Sequence, residues 1–321
     1  NEYFDFTDST KIYIASNTKA FVGIAMVRLA AEGKINYSEP ITQYIDKKYF
    51  PKTIEADKIT VKNLMTHTHG LSNDPMVFRT AYSGQYPSDL KELLKFTIYQ
   101  NDSLSYHFKY SNLGYLIAGI IIGEVTNTHW KQYIQQNVLK AAGMSNSSTH
   151  INFNSSLEAL PYEFFSKMPI TSRKSENVLH SAGGIYSTMN DMGKWLTLFT
   201  DRNQTRIDNA IIDSCLSTKT EVGKSMGPFM MDEYGNGWIH GNLMGDDLLF
   251  HFGSFNGYES MMSVNPEQNT GVYVFVNERI GGQRIAAMLS AYFYLIETND
   301  AEADKKIEMF FKFIATHDFP S

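Results

Sequence analysis

The sequence predicts an α+β fold: an antiparallel β-sheet flanked by helices, with an inserted, mainly helical region. Three observations carry that expectation. The first half of the chain holds apolar segments with helical spacing. The last third switches to short strand-like runs separated by turn residues. A long helical segment then follows the final strand, so helices and strands are segregated along the chain rather than alternating.

Taken in order, the first helix signal begins at Ser16. From Ala20 to Ala31 nearly every residue is small or apolar, and Gly33 follows as a C-terminal stop. A helix apolar on most sides belongs in the interior. Ser88 to Tyr99 reads as a second helix, with Ser88 as N-cap and Leu90, Leu93, Leu94 and Ile98 as its buried stripe. A third runs from about Asn112 to Val125, and Trp130–Leu139 and Met189–Phe199 add two more. Strands are expected at Asp247–His251, Tyr258–Val264 and Gly271–Val276, the last two joined by the turn 265–269. Gly281 and Gly282 open a helix to Ile296, and a charged amphipathic piece, Ala301–Ile314, closes the chain. No repeat, low-complexity tract or linker interrupts this order, so 1–321 reads as a single unit. Its sheet region is expected at about 1–20 and 230–300 and its helical region at about 21–230. Residues 301–321 form a C-terminal extension.

Composition excludes several classes of protein. With 43% hydrophobic and 13% aromatic residues in 321, the chain can close a substantial core, which disfavours disorder. The longest uncharged apolar stretch, Tyr115–Gly123, falls short of the ~20 residues a membrane span needs. A net charge of -6 disfavours nucleic acid as a partner, because an acidic protein gains nothing from counterion release. The single cysteine, Cys215, excludes an internal disulfide and a cysteine metal cluster.

Three short patterns can carry chemistry. In Ser16-Asn17-Thr18-Lys19 the i, i+3 spacing brings the Lys19 amine to the Ser16 hydroxyl at the start of an apolar helix. A serine attacks only when something takes its proton, and a lysine desolvated in an apolar setting can do so at neutral pH. The same pattern recurs at Ser88–Lys91, on a helix with alternating polar positions where Lys91 should face water. Tyr110-Ser111-Asn112 sits at a loop-to-helix junction. Tyr110 could relay a proton there, and Asn112 offers a donor and an acceptor to an incoming amide. His251-Phe252-Gly253-Ser254 ends a strand. Gly253 would let a ligand approach the backbone, and the following N–H could serve an oxyanion hole. Each pattern alone is weak; alone, Ser16 is a helix cap and His251 a core histidine.

The three together, in this order and setting, resemble the serine beta-lactamase and penicillin-binding-protein superfamily. The class C-like branch of DD-carboxypeptidases, D-aminopeptidases and esterase relatives is the nearest likeness. Further segments extend it: Leu64-Met65-Thr66-His67-Thr68-His69-Gly70-Leu71, Ala141-Ala142-Gly143-Met144, and Ser181–Thr188 followed by Asp191. The resemblance covers about residues 6 to 295.

The resemblance implies a serine hydrolase that forms an acyl-enzyme on an amide or ester, with no cofactor and a small-molecule or peptide substrate. Ser16 would be the nucleophile, Lys19 and Tyr110 the coupled proton-transfer pair, and His251 the support of that network. Asn112 would hold the substrate amide. Ser254, beside Gly253, would complete the oxyanion hole with the N–H of Ser16. A carboxylesterase and a non-catalytic binding or scaffold protein of the same fold are the alternatives. His67-x-His69 lacks a third ligand at metalloenzyme spacing and reads as a structural loop, so no metal is expected. Members usually carry the first two strands before the Ser-x-x-Lys helix, so those strands are expected to be missing here. Export from the cytoplasm is expected on the same ground. Many relatives place a lysine where His251 stands. A histidine there implies slow turnover of penicillins and cephalosporins and better activity on uncharged esters or amides. It also implies a gain for carboxylate substrates between pH 8 and 6 as His251 takes a proton, unless Arg279 or Arg284 supplies the charge.

Overall fold

The structure, a computed structural model, describes residues 5–72, 87, 89–101, 103–151, 158–163, 168–171, 174–176, 179–204, 206–297 and 303–316. Four short strands come first. β1 (Ile12–Tyr13) pairs with β4 (Tyr186–Ser187), and β2 (Leu71–Ser72) pairs with β3 (Ile98–Tyr99). A six-stranded antiparallel meander follows, each strand beside the next: β5 (Thr220–Met226), β6 (Phe229–Gly235), β7 (Trp238–Leu243), β8 (Asp246–Phe255), β9 (Tyr258–Asn265) and β10 (Thr270–Val276). The sheet therefore starts at Thr220, before the expected boundary near 230. Among the described residues, 5–20 supply no strand to it, because β1 is taken by β4 instead.

The turns explain why the meander closes. Asn236-Gly237 and Asn256-Gly257 both have left-handed backbones, with φ of +50 and +83° and of +44 and +89°. This is the two-residue hairpin turn whose twist matches its flanking strands, and it demands Asn and Gly.

Helix α1 (Thr18–Ala31) buries every residue from Thr18 to Val27, as its all-round apolar sequence requires. Helix α2 (Val61–Met65) is short and closed by a capping box between Thr60 and Asn63. Helix α3 (Asn112–Thr126) is buried from Leu113 to Ile122. The Ser111 side chain caps its first turn, accepting from the Leu113 N–H, and Asn127 ends it at φ +52°. Helices α4 (Trp130–Ile134), α5 (Met189–Thr200) and α6 (Asn209–Ser217) complete the helical region. Helix α7 (Gly282–Glu297) lies on β9 and β10, tied by Ser263–Ser290 and by Asn265 donating to Tyr294 at 2.9 Å. Helix α8 (Ala303–Thr316) follows. Among the described residues no helix is long and apolar enough to cross a membrane.

The helix expected over Ser88–Tyr99 is different. Ser88 lies outside the described residues. Asp89 caps a tighter 3-10 run, Leu90–Phe96, and Ile98–Tyr99 is strand β3. Pairing with β2 competes for the end of the segment, and tertiary context overrides a weak helical preference.

Candidate active site

The site forms where the N-terminus of α1 meets the face of the sheet. Ser16 sits in a 3-10 turn, Ala15–Asn17, immediately before α1, and Ala15 takes the left-handed value φ +46° to make that turn. Such a backbone costs on the order of 1–3 kcal/mol for a residue with a Cβ and persists only where its surroundings hold it. The brackets are visible. The Asn17 amide donates to Ser260 on β9 at 2.9 Å, and the Ile14 N–H donates to the Ile185 carbonyl at 3.2 Å. Gly253 on β8 faces this turn so closely that a Cβ there would stand 2.3 Å from the Ile14 carbonyl oxygen. The glycine is thus needed for the Ser16 turn to seat on the strand, and the approach it permits is that of the chain itself rather than a ligand. At Gly237 a Cβ would stand 2.3 Å from the Ala20 nitrogen, so the β6–β7 turn clamps α1 from its other side.

Lys19 is fully buried and has three neighbours. Its Nζ lies 3.0 Å from Ser16 Oγ, 2.8 Å from Asn112 Oδ1 and 2.7 Å from the Ala182 carbonyl oxygen. Burial pushes its pKa well below that of an ordinary lysine, because a desolvated ammonium is disfavoured. The two carbonyl oxygens can only accept, so a neutral amine spends its two N–H groups on them. Its lone pair is then left for the Ser16 hydroxyl. With Asn112 Oδ1 committed to Lys19, only the Asn112 amide NH2 remains for a substrate.

Tyr110 keeps 41% of its surface exposed, and its phenol interacts with the Ser16 hydroxyl. Desolvation there raises the phenol pKa, so Tyr110 holds its proton at neutral pH. The Lys19 amine stands 4.8 Å from the Tyr110 ring centre, where the ring face can stabilise the charge that Lys19 acquires on taking a proton. His67, a residue given no catalytic role by its sequence, backs this arrangement. It is buried, its ring is 4.5 Å from that of Tyr110, and its Nδ1 accepts from the Ser111 N–H. The neighbouring His69 accepts the Leu71 N–H through Nδ1 at 3.1 Å. Each imidazole of the His67-x-His69 pair is therefore engaged with backbone.

His251 is buried on β8, with its ring 6.1 Å from that of Tyr110. Its Nδ1 stands 2.7 Å from the Phe252 carbonyl, which can only accept, so Nδ1 carries the hydrogen. Its Nε2 then accepts from the Tyr234 hydroxyl at 3.2 Å. Burial, followed by the nearby Lys19, lowers its pKa to about 3. The expected protonation between pH 8 and 6 is thus corrected: His251 is neutral throughout that range. An NMR titration should show no His251 inflection between pH 5 and 8, and an inflection near 6.5 would contradict the burial argument. The sign for stability follows. A histidine with a depressed folded-state pKa stabilises the fold above about pH 6.5 and withdraws that support as pH falls toward 3. His69, lowered to about 4, acts in the same direction.

The cleft in front of Ser16 is lined by Asn112, Lys174, Gly183, Ser254 and Phe255, among others. β7 pairs with β8 only as far as Phe250, so His251–Phe255 have β9 on one side and an open side on the other. Alternate N–H groups of an antiparallel strand point to such an open side. The Ser254 hydroxyl donates to Glu259 at 3.0 Å. Burial raises the Glu259 carboxyl to about pKa 7. The second Ser-x-x-Lys copy is set differently: Lys91 pairs with Glu124 at 2.8 Å near the surface. Asp191 stays out of the cleft, accepting from the Asn146 N–H at 2.7 Å and from Ser147 at 2.9 Å.

The beta-lactamase family model matches residues 3–291. The chain belongs to the beta-lactamase family. Among relatives of this beta-lactamase-family chain is Protein flp of Staphylococcus aureus, 27% identical over 275 residues, which are 84% of this chain and 53% of that protein. The chain thus spans about half the length of these relatives. The octameric penicillin-binding protein homologue from Pyrococcus abyssi has the same fold, with a TM-score of 0.73 and 22% identity over 91% of this chain and 66% of that one. D-amino acid amidase from Ochrobactrum anthropi is similar too, with a TM-score of 0.73 and 19% identity over 97% of this chain and 86% of that one. The α+β expectation agrees with this fold.

Proposed function

We propose that the protein is a serine hydrolase that passes through an acyl-enzyme on Ser16 and acts on an amide or ester, with D-amino-acid peptides or amides as the favoured class. The observation that carries this reading is the setting of Lys19: a fully buried amine with two acceptors for its hydrogens and the Ser16 hydroxyl for its lone pair. Lys19 takes the Ser16 proton as Oγ bonds to the carbonyl carbon. Tyr110, still protonated, gives its proton to the leaving group, and the proton held by Lys19 restores the phenol within the same cluster. The N–H groups of Ser16 and Ser254 receive the developing oxyanion. Fold similarity to a D-amino acid amidase favours amides over simple esters. Export from the cytoplasm belongs to the same proposal.

A panel of D- and L-amino-acid amides against short-chain p-nitrophenyl esters tests the substrate class. Turnover of D-amides is the expected result. Turnover of esters alone would make the protein a carboxylesterase, and turnover of neither, with no covalent adduct on Ser16, would leave a binding or scaffold protein.

A further inference from the structure

We propose that Lys174 forms an anion subsite of the cleft, binding a carboxylate on the substrate at the wall formed with Phe255. The inference rests on the reading of Ser16 as the acylated residue.

Lys174 lines the same cleft as Ser16, Asn112 and Ser254, yet only 4% of it is exposed. Its ammonium lies 4.3 Å from the centre of the Phe255 ring. Among the described residues it has no hydrogen-bond acceptor and no ion pair. No acid among them acts on its charge. Glu176 holds Lys131 and His150, Glu163 holds Arg279, and Glu259 takes the Ser254 hydroxyl. A buried cation without a counter-ion is costly, and an aromatic face offsets only part of that cost. Burial lowers its pKa to about 8, with no acid offsetting the shift, so the amine is still largely charged at pH 7.

The remaining cleft groups cannot do this work. Lys19 has its hydrogens committed, and the lowered pKa values of His180 and His251 leave both neutral. Arg279 pairs with Glu163 at 3.5 Å on the surface, and neither it nor Arg284 lines the cleft. Among the described residues of the cleft wall, Lys174 is therefore the group that carries charge at neutral pH. An arriving carboxylate would meet a nearly dry ammonium, where attraction is stronger than in water. The charge that His251 was expected to lend the site on acidification comes instead from a loop residue, so carboxylate substrates are accepted without it.

Two matched ester pairs test this: p-nitrophenyl hemisuccinate against p-nitrophenyl butyrate, and 3-carboxyphenyl acetate against phenyl acetate. They place the anion on the acyl and leaving sides respectively. In one pair the charged-to-neutral ratio of kcat/KM should fall at least ~10-fold in Lys174→Met and hold within about 3-fold in Lys174→Arg, as expected for loss or retention of a desolvated charge contact. Ratios unchanged in Lys174→Met for both pairs would overturn the subsite. Labelling of Ser16 by a neutral fluorophosphonate separates the two ideas, since its absence in the wild type overturns the acyl-enzyme reading alone. Calorimetric binding of 3-acetamidobenzoate against its uncharged carboxamide then reads Lys174 without turnover. Preference for the anion that disappears in Lys174→Met supports the subsite, and no preference, or one that survives, removes it.

Discussion

Ser16→Ala is expected to lose kcat/KM by roughly 10⁴ or more, the scale seen when a nucleophile is removed from a preorganised acyl-transfer site. The same variant should show no added mass after incubation with a fluorophosphonate or a penicillin, whereas the wild type gains a single adduct. Little else should change, because the Ser16 hydroxyl is not among the groups that seat its turn. Those are the Asn17–Ser260 bond, the Ile14–Ile185 bond and the close contact at Gly253. An adduct that persists in Ser16→Ala would assign the chemistry to another residue.

The second large effect concerns proton transfer. Lys19→Met and Tyr110→Phe should each slow acylation by ~10² or more, the usual contribution of a positioned acid or base. Together they should cost much less than the product of the two, because both act on one proton path. Lys19→Arg should fare no better than Lys19→Met, since a guanidinium cannot give up its proton to become a base. The pH profile adds a sign. The reactive form has neutral Lys19, so acidification protonates the amine and lowers the rate, giving an acid limb that Tyr110→Phe should retain. Full additivity of the two losses would mean that one of the residues only shapes the cleft.

Much of this was legible in the sequence, and the illegible parts have physical causes. Ser16 and Lys19 could be paired because i, i+3 spacing fixes their geometry within one helical turn. The apolar run after them separated this copy from Ser88–Lys91. Tyr110 and Asn112 were readable from their place before a buried helix. His251 was found, but its protonation was misjudged. A histidine's pKa is set by its burial and by nearby charge, and Lys19 comes from a distant part of the chain. Lys174 left no pattern at all, since its place in the proposal rests on its having no counter-ion among the described residues. Strands β5–β7 were hidden by their mixed charged and apolar residues, although Asn236-Gly237 was a signal sufficient to find the hairpin joining β6 and β7.

The seating of Ser16 on Gly253 has a consequence in time. Protein synthesis runs from the N-terminus, so Ser16 and Lys19 leave the ribosome more than two hundred residues before β8 and β9. Until that late hairpin arrives, the turn at Ala15 lacks both the Asn17–Ser260 bond and the strand face at Gly253 on which it seats. The hydroxyl and amine are then an ordinary serine and an ordinary lysine. On the acyl-enzyme proposal, a nascent chain carries Ser16 and Lys19 in an inert form and becomes competent to attack carbonyls only once β8 and β9 have folded.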